Sequence, residues 1–99
     1  MATSVGAQGH LVVGSKTVTT AGTRVTIEST VPRVSSLTIV AKDNNTGRIY
    51  VGGDDVASTT NRGLAAGDSV TFTAPKLELD TIYLDASVSG EGVDWYAVI

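Results

Sequence analysis

Hydrophobic and polar residues alternate along much of this chain with a period of two, the spacing that sends successive side chains to opposite faces of a β-strand. Val25 and Ile27 alternate with Thr26 and Glu28, Leu37 and Ile39 with Ser36 and Thr38, and Val70 and Phe72 with Thr71 and Thr73. Each segment is expected to bury one face, with these apolar residues in the core. Thr81 to Val88 continues the pattern, with Ile82, Leu84, Ala86 and Val88 inward. Val93 to Ile99 alternates too, but its buried face is either Val93, Trp95, Ala97 and Ile99 or the opposite set, Tyr96 and Val98. Valine and threonine predominate, and their branched, stiff side chains suit a pleated surface.

Turn residues fall between these segments. Asn44-Asn45-Thr46-Gly47 predicts a tight hairpin from a strand ending near Lys42 to Arg48-Ile49-Tyr50-Val51, with Gly47 at positive φ. Ser89-Gly90-Glu91-Gly92 predicts a similar link between the last two strands, and Ala66-Gly67-Asp68 a reversal before Ser69. Pro32 breaks the pattern after Ile27, since it has no N–H for a ladder. Gly52 to Leu64 is too irregular for more than one helical turn, capped by Asp54 or Asp55.

Residues 1–14, rich in Gly, Ala and Ser, read as a flexible N-terminal arm with an apolar tip at Leu11, Val12 and Val13; a simple edge strand is the alternative. Residues 15–99 then form the domain. Seven or eight short strands at this spacing predict an all-β fold, a single-domain antiparallel β-sandwich of jelly-roll or immunoglobulin-like type.

Composition narrows the chemistry. The chain has 99 residues, enough for one domain, with no cysteine and one histidine. Disulfides, zinc clusters and Cys-His nucleophile pairs are therefore excluded. Net charge is −3, which argues against nucleic acid as partner. The charge is uneven: residues 1–49 hold five bases and two acids, whereas residues 50–99 hold two bases and eight acids. That contrast reads either as scattered solvated charge or as opposite faces that attract neighbouring subunits. No apolar run reaches membrane-spanning length, and Met1-Ala2-Thr3-Ser4 lacks the basic start of a signal peptide, so the chain is expected to fold in the cytosol where it is made.

No constellation of residues spells out catalysis. His10 lies in the Gly-rich arm, with nothing rigid to orient its ring as a triad requires. Asp54 and Asp55 lack the spacing of a calcium loop, and Asp80, Asp85 and Asp94 read as rim carboxylates. Phosphate-binding glycine motifs are absent, and the glycosylation triplet Asn44-Asn45-Thr46 is a chance match. Tyr50 and Tyr83 sit out of phase with Ile49, Val51, Ile82 and Leu84, so both are expected to point outward. They would serve an interface, lie on the surface or beneath a loop, or stack on a sugar. Trp95 and Phe72 are expected in the core.

Three segments carry a resemblance: Thr46-Gly47-Arg48-Ile49-Tyr50-Val51-Gly52-Gly53-Asp54-Asp55-Val56, Leu64-Ala65-Ala66-Gly67-Asp68-Ser69-Val70, and Ile82-Tyr83-Leu84-Asp85-Ala86-Ser87-Val88-Ser89-Gly90-Glu91-Gly92-Val93. In this order they resemble small β-rich structural proteins of tailed bacteriophages, of the capsid decoration or cement sub-type, over roughly residues 17–99. The resemblance implies a non-catalytic virion protein on the capsid surface that binds across subunits of the major capsid protein and stabilises the assembled head. It carries over no catalytic residue and no cofactor. Expected partners are the major capsid protein and further copies of the chain, with no nucleic acid, membrane or small-molecule substrate. The candidate interface residues are Leu11, Val12, Val13, Tyr50 and Tyr83. The alternative is a glycan- or host-surface-binding module of a phage fibre or tail or of a bacterial enzyme.

Overall fold

The computed structural model describes residues 10–28 and 33–99. Seven strands form two antiparallel sheets: β1 (Leu11–Val18), β2 (Val25–Thr26), β3 (Val34–Ala41), β4 (Ile49–Gly52), β5 (Ser69–Leu77), β6 (Tyr83–Ala86) and β7 (Glu91–Val98). One sheet runs β1-β7-β3-β5 and the other β2-β6-β4. A 3₁₀ turn, Leu79–Thr81, precedes β6. The all-β sandwich expected from the alternation is the fold observed.

The pairing is nested. First strand pairs with last, β2 with β6 and β3 with β5, and β4 meets a one-residue bridge between Ile49 and Leu64. Successive pairs alternate between the two sheets, as when one long antiparallel hairpin is wrapped around a core. That is the jelly-roll arrangement, with its eighth strand reduced here to Leu64.

The core lies between the sheets and is built by the alternating positions. Val34, Leu37, Ile39, Ala41, Val93, Trp95 and Ala97 from one sheet meet Ile27, Ile49, Ile82, Leu84 and Ala86 from the other. The ambiguous last strand is settled: Val93, Trp95 and Ala97 face inward, and Tyr96, Val98 and Ile99 are exposed. Val56, in the irregular segment, is fully buried, as is Leu79. No helical turn forms at Val56 to Ser58; the backbone instead makes turns closed by Val56 N–H to Gly53 and Thr60 N–H to Ala57.

The main departure concerns the turns. Asn44 to Gly47 is no hairpin, because β3 and β4 belong to different sheets; it is a corner across the sandwich. Ser89 to Gly92 likewise carries the chain from β6 in one sheet to β7 in the other. Gly90 has positive φ, whereas Gly47 does not. A hairpin and a corner share the same local turn residues, and only the choice of sheet separates them. Ala66 to Asp68 does reverse the chain, with Gly67 at φ 82° and its N–H donated to Ala41.

The two corners lock together. The Asn45 side chain is buried, donating to the Gly92 carbonyl (2.8 Å) and accepting from the Gly92 N–H (3.3 Å). Gly47 is needed for space: a Cβ there would fall well inside 3.0 Å of Ser87 Oγ and Val88 Cγ2. Gly47→Val is therefore expected to destabilise the domain by about 2 kcal/mol through overpacking. Gly47→Ala should already carry much of that cost in urea unfolding, since the clash begins at Cβ.

Further expectations change. Leu11 to Gly14 form the first half of β1, paired with Trp95 to Val98, so for these residues the edge strand, and not the flexible arm, is what the chain adopts. The expectations for residues 1–9 and for the break at Pro32 fall outside the described residues. Phe72 faces inward opposite Leu37, yet it is 37% exposed. It sits on the edge strand β5, and the three-stranded sheet opposite, lacking its eighth strand, stops short of covering it. Val25 and Val70, expected in the core, are only partly buried against it, and Val88, expected inward, is exposed past the end of β6.

Candidate interaction surface

Antiparallel register places the outward side chains of the four-stranded sheet in rows. Leu11, Val98, Ser36 and Thr73 form one row; Val13, Tyr96, Thr38 and Thr71 the next; Ser15, Asp94, Val40 and Ser69 a third. In the first two rows the β1–β7 half is apolar, whereas hydroxyls cover the β3–β5 half, where Thr38 and Thr71 share a 2.9 Å hydrogen bond. Leu11 is 64% exposed, Val13 57% and Tyr96 47%; Val98 is also exposed. A contiguous apolar patch with an aromatic at its centre is the usual mark of a protein contact. Lys42 and Asp94 bound it at one end with a 2.7 Å ion pair.

Of the residues singled out from sequence, Leu11 and Val13 lie in this patch. Val12 faces the core, partly buried. Tyr96 and Val98 join them because Val93, Trp95 and Ala97 take the inward face of β7, a choice that alternation alone leaves open.

Tyr50 is not an exposed aromatic: only 8% of its surface remains accessible. It does lie out of phase with Ile49 and Val51, but the segment through Gly63 crosses its ring. A Cβ on Gly63 would come to 2.8 Å from the ring. Asn61 holds that segment, accepting from Gly63 N–H and donating to the Val51 carbonyl. Tyr50 thus lies beneath a loop.

Tyr83 remains partly accessible. It lies in an open depression of about 350 Å³ lined by Gly53, Asp54, Asp80, Thr81 and Tyr83. Asp85 is no rim carboxylate, being buried and accepting from the Gly22 N–H (2.9 Å) and the Ala86 N–H (2.8 Å). Asp94 is paired with Lys42. His10 is exposed and pairs through its backbone with Ile99. Among the described residues no three His, Cys, Asp or Glu side chains are grouped to hold a metal ion.

One carboxylate has a defined structural task. Glu91 accepts from the backbone N–H of Thr46, from the Thr46 hydroxyl (2.8 Å) and from the Gly47 N–H (2.9 Å). These donors stabilise the charged form, the Thr46 N–H most, and hold its pKa below the ordinary glutamate value. A depressed folded-state pKa stabilises the fold above the unfolded-state pKa, and this contribution is lost as pH falls through the folded value. Wild type is expected to melt above Glu91→Gln at neutral pH. That margin should close as the solution is acidified below the usual carboxylate range, in thermal scans of both proteins.

Among the described residues no helix is long and apolar enough to cross a membrane. The chain matches no family model, no curated protein and no solved structure.

Proposed function

We propose that this chain is a non-catalytic structural protein of a virus particle, a decoration or cement protein that binds across neighbouring major capsid subunits and stabilises the assembled shell. The observation that carries this reading is the apolar outer face of β1 and β7, with Leu11, Val13, Tyr96 and Val98 exposed on one side of a firmly packed sandwich. The ordered resemblance of three segments to phage structural proteins supports it independently. The jelly roll alone does not, because one fold hosts many functions.

Binding only to the assembled state stabilises that state by mass action. Shells lacking the chain are expected to open at lower temperature than shells carrying it, and re-addition should restore the difference. Because the patch is apolar, occupancy should persist as salt rises and fail for Val13→Ser or Tyr96→Ser. Shells that neither bind the chain nor change their melting temperature overturn the proposal.

The alternative is a glycan-binding module, favoured by Tyr83 in its depression between Asp54 and Asp80. In that case Tyr83→Ala abolishes retention on glycans of the host surface, whereas Val13→Ser and Tyr96→Ser leave that retention untouched.

A further inference from the structure

β1 is an edge strand, with β7 as its one neighbour among the described residues. His10 and Ile99 exchange both backbone hydrogen bonds. The antiparallel ladder alternates strictly, so His10, Val12, Gly14, Lys16 and Val18 turn their N–H and C=O groups toward β7. Leu11, Val13, Ser15 and Thr17 turn theirs away, along the open edge. The Val18 carbonyl, which accepts from Gly90 N–H on the β7 side, agrees with this phase.

Open edges invite pairing with another chain, and proteins usually blunt them with proline, charge or bulges. The opposite edge, β5, carries Pro75 and Lys76, and its pairing with β3 is broken by a register shift between Val34 and Ser36. β1 has none of these: its outward face reads Leu11, Val13, Ser15, Thr17, and its one charge, Lys16, belongs to the other face.

We infer that β1 pairs antiparallel with β1 of a second copy of this chain across a two-fold axis at Gly14, joining two four-stranded sheets into one of eight strands. This register sets Leu11 opposite Thr17 and Val13 opposite Ser15 of the other copy. All four outward residues are used, making about eight backbone hydrogen bonds, within the range of a standard protein interface. Lys16 falls opposite Val12 of the other copy, so the two lysines stay apart. An axis at Val13 would set His10 against Lys16, and an axis at Ser15 would leave Leu11 unpaired. Two-fold pairing also brings the apolar patches of both copies onto one continuous face. The inference does not depend on the shell reading, and its test uses the free protein.

Sedimentation equilibrium of the full chain is expected to show a monomer–dimer equilibrium. By amide hydrogen exchange, Leu11, Val13, Ser15 and Thr17 should gain protection as concentration rises, while Val12, Gly14 and Lys16 stay protected throughout. Val13→Pro removes an outward N–H without touching the β1–β7 ladder, and is expected to weaken the dimer at least tenfold. Thr71→Pro places the same residue on the other open edge and should leave the dimer intact. Should Val13→Pro fail to fold, Val13→Lys keeps every backbone donor and sets like charges together at the axis, and it should give monomers. A wild type that is monomeric at every soluble concentration, an assembly with an odd number of copies, or a dimer that survives Val13→Lys overturns the inference.

Discussion

Gly92→Ala is expected to destabilise the domain by about 3 kcal/mol or more, which for a protein of this size is a large share of its total stability. Gly92 is buried where β7 begins, opposite Thr17 of β1. A Cβ there would strike the Lys16 carbonyl oxygen and reach 3.0 Å from the Thr17 Cα. Those are backbone atoms, so no rotamer change relieves the clash and the two strands must part. The same residue donates to and accepts from Asn45, so any shift also opens the corner between β3 and β4. Urea unfolding should show a lower midpoint, with fluorescence of the single tryptophan, Trp95, following the loss. A midpoint equal to wild type would mean that β1 does not lie against Gly92 as described.

Trp95→Ala is expected to cost about 4 kcal/mol, the range for deleting a large buried aromatic. Trp95 is 2% exposed, on the inner face of the central strand pair β7 and β3. It packs beneath Gly14, where a Cβ would come to 2.6 Å from the indole ring. Its Nε1 has no hydrogen-bond partner among the described residues. A buried donor left unpaired costs about 1–3 kcal/mol, so Trp95→Phe should recover more than half of the alanine loss: it keeps an aromatic ring and removes the orphaned donor. If phenylalanine proves as damaging as alanine, the indole N–H makes a bond that matters. Both variants are read by denaturant unfolding, using far-ultraviolet circular dichroism because the fluorophore is gone.

How much of this was legible from sequence follows from what alternation records. A period of two says which residues share a face, and it correctly placed Ile27, Leu37, Ile39, Ile82 and Leu84 inside. It cannot say how far the opposite layer extends, so Phe72, facing inward at an uncovered edge, is exposed. Nor does it register a loop folding back over a sheet, which buries Tyr50 beneath the Gly63 segment. The interaction surface was half visible: Leu11 and Val13 stood out as an apolar tip, but their partners Tyr96 and Val98 did not.

The sequence by itself determined the all-β class, the strand-forming segments and the turn positions, because branched side chains, period-two patterning and Gly or Asn at reversals are local properties. Tertiary structure alone decided which sheet each strand joins. Asn44 to Gly47 and Ser89 to Gly92 have hairpin residues but serve as corners, since nested pairing of β1 with β7, β2 with β6 and β3 with β5 places consecutive strands in opposite layers. That pairing depends on contacts between residues as far apart as His10 and Ile99, and no local pattern encodes them. The same long-range pairing made Leu11 to Gly14 part of an edge strand and set them beside Tyr96 and Val98, where an apolar tip becomes an apolar face.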